Sequence, residues 1–250
     1  MSSQQTNVIL AQPSLVAFWD FQEGAGEKRI AKGPNAYVLQ EGARLVHREE
    51  DGIFGPYAAR LNFGDWFMTP REMCPELNFH GSRSNLTILA WIKREKNDYQ
   101  HCQAIAGMWD ETDSKRQYAL FLNLRIWDSY EQVGGHVSAG GGPTEGYTYC
   151  MTSSLGATEV NREEWHVVGF TYNGKEAISY LDGKLDQRET YNPFYYGEEL
   201  YDGGQNGSDF TVGAVHRSEE IGNFYTGLLG GLAVFNRALT QEEIAILSHR

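Results

Sequence analysis

Cysteine is scarce in this chain, and basic charge is outnumbered. The 250 residues hold three cysteines, Cys74, Cys102 and Cys150. An odd number cannot complete a disulfide framework, and their separations exclude a CxxC metal or redox pair. Reduced thiols are the simpler expectation. Lysine and arginine number 21 against 33 aspartates and glutamates, a formal net charge of −12. That balance repels a phosphate backbone and anionic lipid alike unless a local basic patch intervenes. The densest basic run, KREK from Lys93 to Lys96, is short, interrupted by Glu95, and reads as a solvated strand end. Neither nucleic acid nor membrane is an expected partner. No apolar run approaches membrane-spanning length, and the opening MSSQQTNVILAQP has neither the basic start nor the long apolar core of a signal peptide. As written the chain reads as soluble and cytoplasmic; an extracellular or periplasmic protein whose export signal had been removed would look the same. A P-loop, a dinucleotide-binding glycine pattern and a Ser/His/Asp elbow are all missing. The glycine-rich GGHVSAGGGPTEG leads into no helix that could hold a phosphate.

What is present is alternation and turn chemistry. With 41% hydrophobic residues and 28 glycines, the chain can bury a sizeable core while turning often. Ser14 to Phe21, Tyr57 to Phe63, Leu86 to Lys93, Gln103 to Trp109 and Gln117 to Trp127 read as strands. In WHVVGFTYNGKEAISYLDGKLDQRE, Asn173-Gly174 and Asp182-Gly183 tolerate the positive φ of tight hairpin turns and separate three antiparallel strands. SDFTVGAV and GLLGGLAVFN supply two more, and GGHVSAGGG reads as a strand followed by a loop. The one convincing helix is the last segment, LTQEEIAILSHR, with Thr240 as N-cap, Glu243 completing a capping box, and Leu239 and Ile244 placed for a hydrophobic staple. The reading is an all-β protein of one domain over residues 1–250, with its core in about 14–248.

LVAFWDFQEGAG, LTILAWIK, EEWHVVGFTYNG followed by ISYLDGKL, and the closing YTGLLGGLAVFNRALTQEEIAIL occur in an order that resembles the laminin-G-like branch of the concanavalin A-like lectin/glucanase superfamily. The resemblance implies a jelly-roll sandwich of two antiparallel sheets, one concave, with ligands on the concave face or along one rim. It does not imply one function, since lectins, carbohydrate-binding modules, hydrolases, lyases and adhesion modules share the architecture. Members that bind calcium do so through acids at positions where this chain has Gln22, the AKGPN turn from Ala31 to Asn35, and Gly230-Gly231. Ca²⁺ needs several carboxylates among six to eight oxygen ligands. No metal or other cofactor is therefore expected, although the resemblance leaves Ca²⁺ open.

The leading expectation is an oligo- or polysaccharide-binding domain. Trp109 and Trp127 end strand patterns and run into polar residues, as MWDETD and IWDSYEQ. A ring stacks on the C–H face of a pyranose while an adjacent acid such as Asp110 accepts hydroxyl hydrogen bonds. The alternative for both tryptophans is capping the core edge, while core packing is the role expected of Trp19, Trp91 and Trp165. Tyr130 and Tyr147 stand near them in sequence. The stretch YNPFYYGEELYDGG, Tyr191 to Gly204, makes a connection longer than a turn requires. In it Pro193 and Phe194 are the expected anchors and some of Tyr195, Tyr196 and Tyr201 the outward, ligand-contacting rings, against the alternatives of a self-packed lid or a partner contact. An enzyme on the same fold would use His136 as base, with Arg125, Tyr147 and Tyr149 nearby, or Glu111 and Asp113 as an acid pair. The bland reading of His136 is an ordinary strand histidine, and His166 reads as packed. A protein-adhesion module is the third class.

Overall fold

The computed structural model describes residues 2–96 and 101–249. Leu86 to Lys93 is apolar on both faces, and its place in the fold explains why. The strand Asn85–Arg94 lies at the middle of a nine-stranded antiparallel sheet ordered Lys184–Leu185, Glu176–Leu181, Trp165–Asn173, Asn85–Arg94, Gly227–Phe235, Ala58–Leu61, Arg48–Glu49. Leu15–Trp19 also pairs with Gly227–Phe235, and Phe194–Tyr195 with Glu176–Leu181. Leu86, Ile88, Ala90 and Ile92 point into the core between the sheets, while Leu89 and Trp91 point outward under Phe54, Ile9, Ile244 and Leu247. Burial on both faces removes the alternation that a half-solvated strand shows.

The second sheet has eight strands, ordered Ser153–Leu155, Val133–Val137, Tyr118–Leu122, Gln103–Met108, Phe210–Val212, Phe67–Thr69, Val38–Glu41, Arg29–Ile30. Ile105, Met108, Leu120, Leu122, Val133 and Val137 face the first sheet. The two antiparallel sheets form a jelly-roll sandwich. Gly135 permits one of its closest approaches: a Cβ there would lie 2.5 Å from the Phe170 ring of the opposite sheet. A short hairpin, Val215–Arg217 with Glu220–Gly222, forms a two-stranded sheet of its own.

The C-terminal helix spans Gln241–Leu247, and its capping box is formed: Thr240 Oγ1 accepts from the Glu243 amide at 3.3 Å, and the Thr240 amide donates to Glu243 Oε2 at 2.8 Å. Leu239 and Ile244 are both buried beside it. A second helix, Ser2–Leu10, falls in the opening stretch where the sequence pattern suggested none. Its stability comes from tertiary packing rather than propensity: Ile9 is buried in the outer cluster, and Gln5 Nε2 donates to the Leu247 carbonyl at 2.5 Å. No described helix is long and apolar enough to cross a membrane. Two strand readings also need correction. Gln117 to Trp127 stops being a strand at Leu122, because Asn123, Arg125, Trp127 and Asp128 all adopt positive φ. KREK is not a solvated end throughout, since Arg94 is buried, donating to the Val160 carbonyl at 2.8 Å and paired with Glu131, while Lys93 meets Asp51 at 2.8 Å.

Candidate functional site

Alternation on the second sheet leaves one face turned away from the core. Trp109, Phe121 and His136 stand on it, from three neighbouring strand paths, in a cluster with Ala119, Leu124, Ile126 and Cys150. The left-handed residues of 123–128 fold the chain back over this face. Asn123 Nδ2 donates to the His101 carbonyl at 2.9 Å, and Trp127 Nε1 to the Met151 carbonyl at 3.0 Å. Together with the Tyr149–Cys150 segment and the Arg217 hairpin, that turn encloses a pocket of about 220 Å³.

His136 forms part of the pocket lining. Its ring lies 4.7 Å from that of Trp109 at 30° and 5.5 Å from that of Phe121 at 85°. Nδ1 faces the Thr152 carbonyl at 2.9 Å. A carbonyl only accepts, so Nδ1 carries the proton in the neutral ring and Nε2 keeps its lone pair. Nε2 has no hydrogen-bond partner among the described residues. Burial pushes the imidazole pKa down to about 4, with the nearby Arg116 charge acting the same way and the Thr152 bond and Glu111 opposing it. The ring is neutral at pH 7.

The polar wall is Glu111 and Arg217. Glu111 Oε1 accepts from Trp109 Nε1 at 3.3 Å, Oε2 lies 3.5 Å from Arg217 Nε, and Arg217 Nη1 donates to Asn223 Oδ1 at 2.7 Å. The half-exposed Tyr149 ring lies 6.0 Å from the Arg217 guanidinium, and Arg125 also faces the pocket while lying 5.5 Å over Tyr130.

The structure sorts the expected site residues into three groups. Trp109, Glu111 and His136 line the pocket, but Trp109 is 1% exposed with His136 against it, so little of its ring is open to a ligand. Trp127, Tyr130 and Tyr147 make an aromatic rim beside it: Trp127 stacks on Tyr191 at 6.0 Å, Tyr147 meets Trp127 edge-on at 5.7 Å, and Tyr130 and Tyr147 are exposed. The others stand apart. Asp110 is buried, its Oδ1 accepting from the amides of Thr112 and Asp113, so it shapes a turn instead of facing a ligand. Asp113 is exposed and paired with Lys115 at 3.1 Å, whereas Glu111 is paired with Arg217 at 3.5 Å. His166 belongs to the other sheet, where Nδ1 meets Asp182 at 2.8 Å.

The tyrosine loop does not line the pocket. Tyr195 is exposed at the sheet edge opposite Glu176. Tyr196 is turned in: it packs on the core, its hydroxyl oxygen accepts from the Ala139 amide at 2.8 Å, and its carbonyl accepts from Tyr172 Oη at 2.6 Å. Tyr201 is half-buried, its amide donating to the Ser138 carbonyl at 2.8 Å. The anchor is buried Leu200 rather than the half-buried Phe194, which stacks on Tyr196 at 6.4 Å. Asn192 adds a second tether by bonding both the amide and the carbonyl of Ser179. Sequence reasoning missed Arg217 and Asn223, which no local motif marks.

The positions read against calcium have other occupations. Gln22 Oε1 accepts from the Tyr57 amide at 3.0 Å, Ala31 is buried, and side chains at Gly230 and Gly231 would collide with Trp165 and Phe54. Among the described residues no group of three His, Cys, Asp or Glu is placed to hold a metal ion.

A family model described as the concanavalin A-like lectin/glucanases superfamily, of laminin G type, matches residues 73–245. No curated protein sequence matches the chain. Similar solved structures include domain 4 of AbnA, a GH43 extracellular arabinanase from Geobacillus stearothermophilus, in complex with arabinotriose. It is 14% identical over 94% of this chain and 98% of that one, with a TM-score of 0.56. The botulinum neurotoxin serotype D ligand binding domain in complex with N-acetylneuraminic acid is 13% identical over 94% and 50%, with a TM-score of 0.59. Trypanosoma rangeli sialidase in complex with the inhibitor DANA is 13% identical over 98% and 36%, with a TM-score of 0.59. The chain thus spans half of the neurotoxin structure and about a third of the sialidase. At such identities the likeness is one of fold.

Proposed function

This chain belongs to the concanavalin A-like lectin/glucanases superfamily as a laminin-G-like member, and from that premise we propose that it binds carbohydrate in the pocket over Trp109, Phe121 and His136. The observation that carries the reading is the mix of groups meeting there. Tyr149 offers an exposed ring, Glu111 and the His136 Nε2 lone pair accept, and Arg217 donates. A sugar presents a C–H face to a ring and hydroxyls that both donate and accept, so each group has a use. Binding of an oligosaccharide by the arabinanase domain and of a sialic acid by the neurotoxin domain supports the same reading by analogy.

Binding is favoured over turnover by the state of His136. A base with a pKa near 4 is a poor proton acceptor at neutral pH, and Glu111 and Asp113 have separate partners. A glycan array followed by calorimetry on the hits, with product analysis, tests this. Tyr149→Ala removes a stacking ring worth about 0.5–1.5 kcal/mol, so affinity should fall roughly 2- to 13-fold. Tyr195→Ala should leave it unchanged. Binding that is indifferent to Tyr149 but lost with Tyr195 would move the site to the tyrosine loop, and product formation would restore the enzyme reading.

A further inference from the structure

Among the described residues, the charged groups lining the pocket are two arginines, Arg125 and Arg217, and one glutamate, Glu111. The balance among these described groups is positive in a chain whose net charge is −12. Buried Arg116 adds to it, close enough to help hold His136 neutral. Composition alone would have put the opposite sign here.

The hydrogen bonding of Arg217 is incomplete. Glu111 meets only its Nε, at 3.5 Å, and Asn223 takes Nη1 at 2.7 Å. Nη2 has no hydrogen-bond partner among the described residues, and the side chain is 34% exposed. A guanidinium is a rigid planar fork matched to the two oxygens of a carboxylate. The ring beside it, Tyr149, is exposed on the same pocket wall.

We infer that the pocket selects an acidic sugar, a glycan residue whose carboxylate is received by Arg217 and whose ring lies against Tyr149. The inference rests on the carbohydrate-binding reading and adds the charge of the ligand. Glu111 then has a double part: it orients Arg217 through Nε, and its own charge repels an incoming anion.

Calorimetry with a uronic-acid oligosaccharide and the neutral hexose oligosaccharide of the same length and linkage decides it. Wild-type protein should bind the uronate more tightly, by a margin that shrinks as salt is raised. Arg217→Lys keeps the charge and loses the fork, so the acid-to-neutral affinity ratio should fall roughly tenfold, about one charge-assisted hydrogen bond. Glu111→Gln should raise that ratio. Should Arg217→Lys fail to fold, the wild-type salt dependence and Glu111→Gln still decide. Neutral sugar bound as tightly as the uronate, or a ratio unmoved by salt and by both variants, would overturn the inference while leaving carbohydrate binding standing. Binding of neither sugar class, there or on the array, would overturn both.

Discussion

His136 should make the protein lose stability as pH falls, and the size of the loss follows from its surroundings. The exposed imidazole of the unfolded chain titrates near 6.5, whereas burial and Arg116 hold the folded one to about 4. Above pH 6.5 the residue is neutral in both states and adds no pH dependence. Between 6.5 and 4 the unfolded chain binds a proton that the folded chain does not. Folding stability therefore drops by about 1.4 kcal/mol per pH unit, reaching about 2 kcal/mol at pH 5 and about 3 kcal/mol at pH 4. For a chain of this length about 2 kcal/mol corresponds to roughly 4–8 °C in melting temperature. The measurement is urea unfolding across that range for wild type and His136→Gln. The variant loses ring contacts with Trp109 and Phe121, so its absolute stability is not the readout. The readout is the difference in slope, from which other titrating groups largely cancel. The variant should be flatter by about 2 kcal/mol between pH 7 and pH 5. Equal slopes would mean that His136 takes up its proton freely when folded, and the argument for a neutral acceptor in the pocket would fail with it.

Two further outcomes test the loop and the metal reading. Leu200→Ala removes a buried side chain and should cost about 2–5 kcal/mol in denaturant unfolding, whereas exposed Tyr195→Ala should stay within about 0.5 kcal/mol; a reversal of that order would return the anchor to the Phe194 region. Chelation should scarcely move the melting temperature, because a bound ion would stabilise by mass action and the carboxylates expected of a calcium site are replaced at Gln22, Ala31 and Gly230-Gly231; a large drop would relocate the metal to other acids.

Most of the sandwich was legible because its signals are local. The hairpin turns at Asn173-Gly174 and Asp182-Gly183 need positive φ, which Gly174, Asp182 and Gly183 adopt, and the capping box needs only Thr240 and Glu243. The N-terminal helix was illegible for the converse reason: what holds Ser2–Leu10 is a docking surface more than two hundred residues away, at Leu247. Periodicity also overran the strand ending at Leu122. The residues from Asn123 to Trp127 keep a strand-like alternation of polar and apolar side chains, yet Asn123, Arg125 and Trp127 take left-handed conformations and the segment covers the outer face of the sheet; alternation does not reveal that the backbone has left the sheet.

The site was half legible for a reason that bears on its chemistry. Trp109, Glu111 and His136 could be singled out because an aromatic, a carboxylate and a histidine at strand ends are recognisable one at a time. Their roles could not, since role depends on which face of each ring is already taken. Trp109 next to Asp110 looked like a stacking ring with its acid; in the fold Asp110 closes a turn and Glu111, one residue further, reaches the Trp109 indole and Arg217. One step along an extended chain reverses the face a side chain serves. Arg217 and Asn223 come from a hairpin segment about a hundred residues downstream, joined to the end of this strand where Asp110 bridges to His216 and the Glu111 amide donates to the His216 carbonyl at 2.9 Å. That bridge delivers the guanidinium to the pocket, so the charge of the pocket wall is set by long-range pairing at a strand end and not by composition.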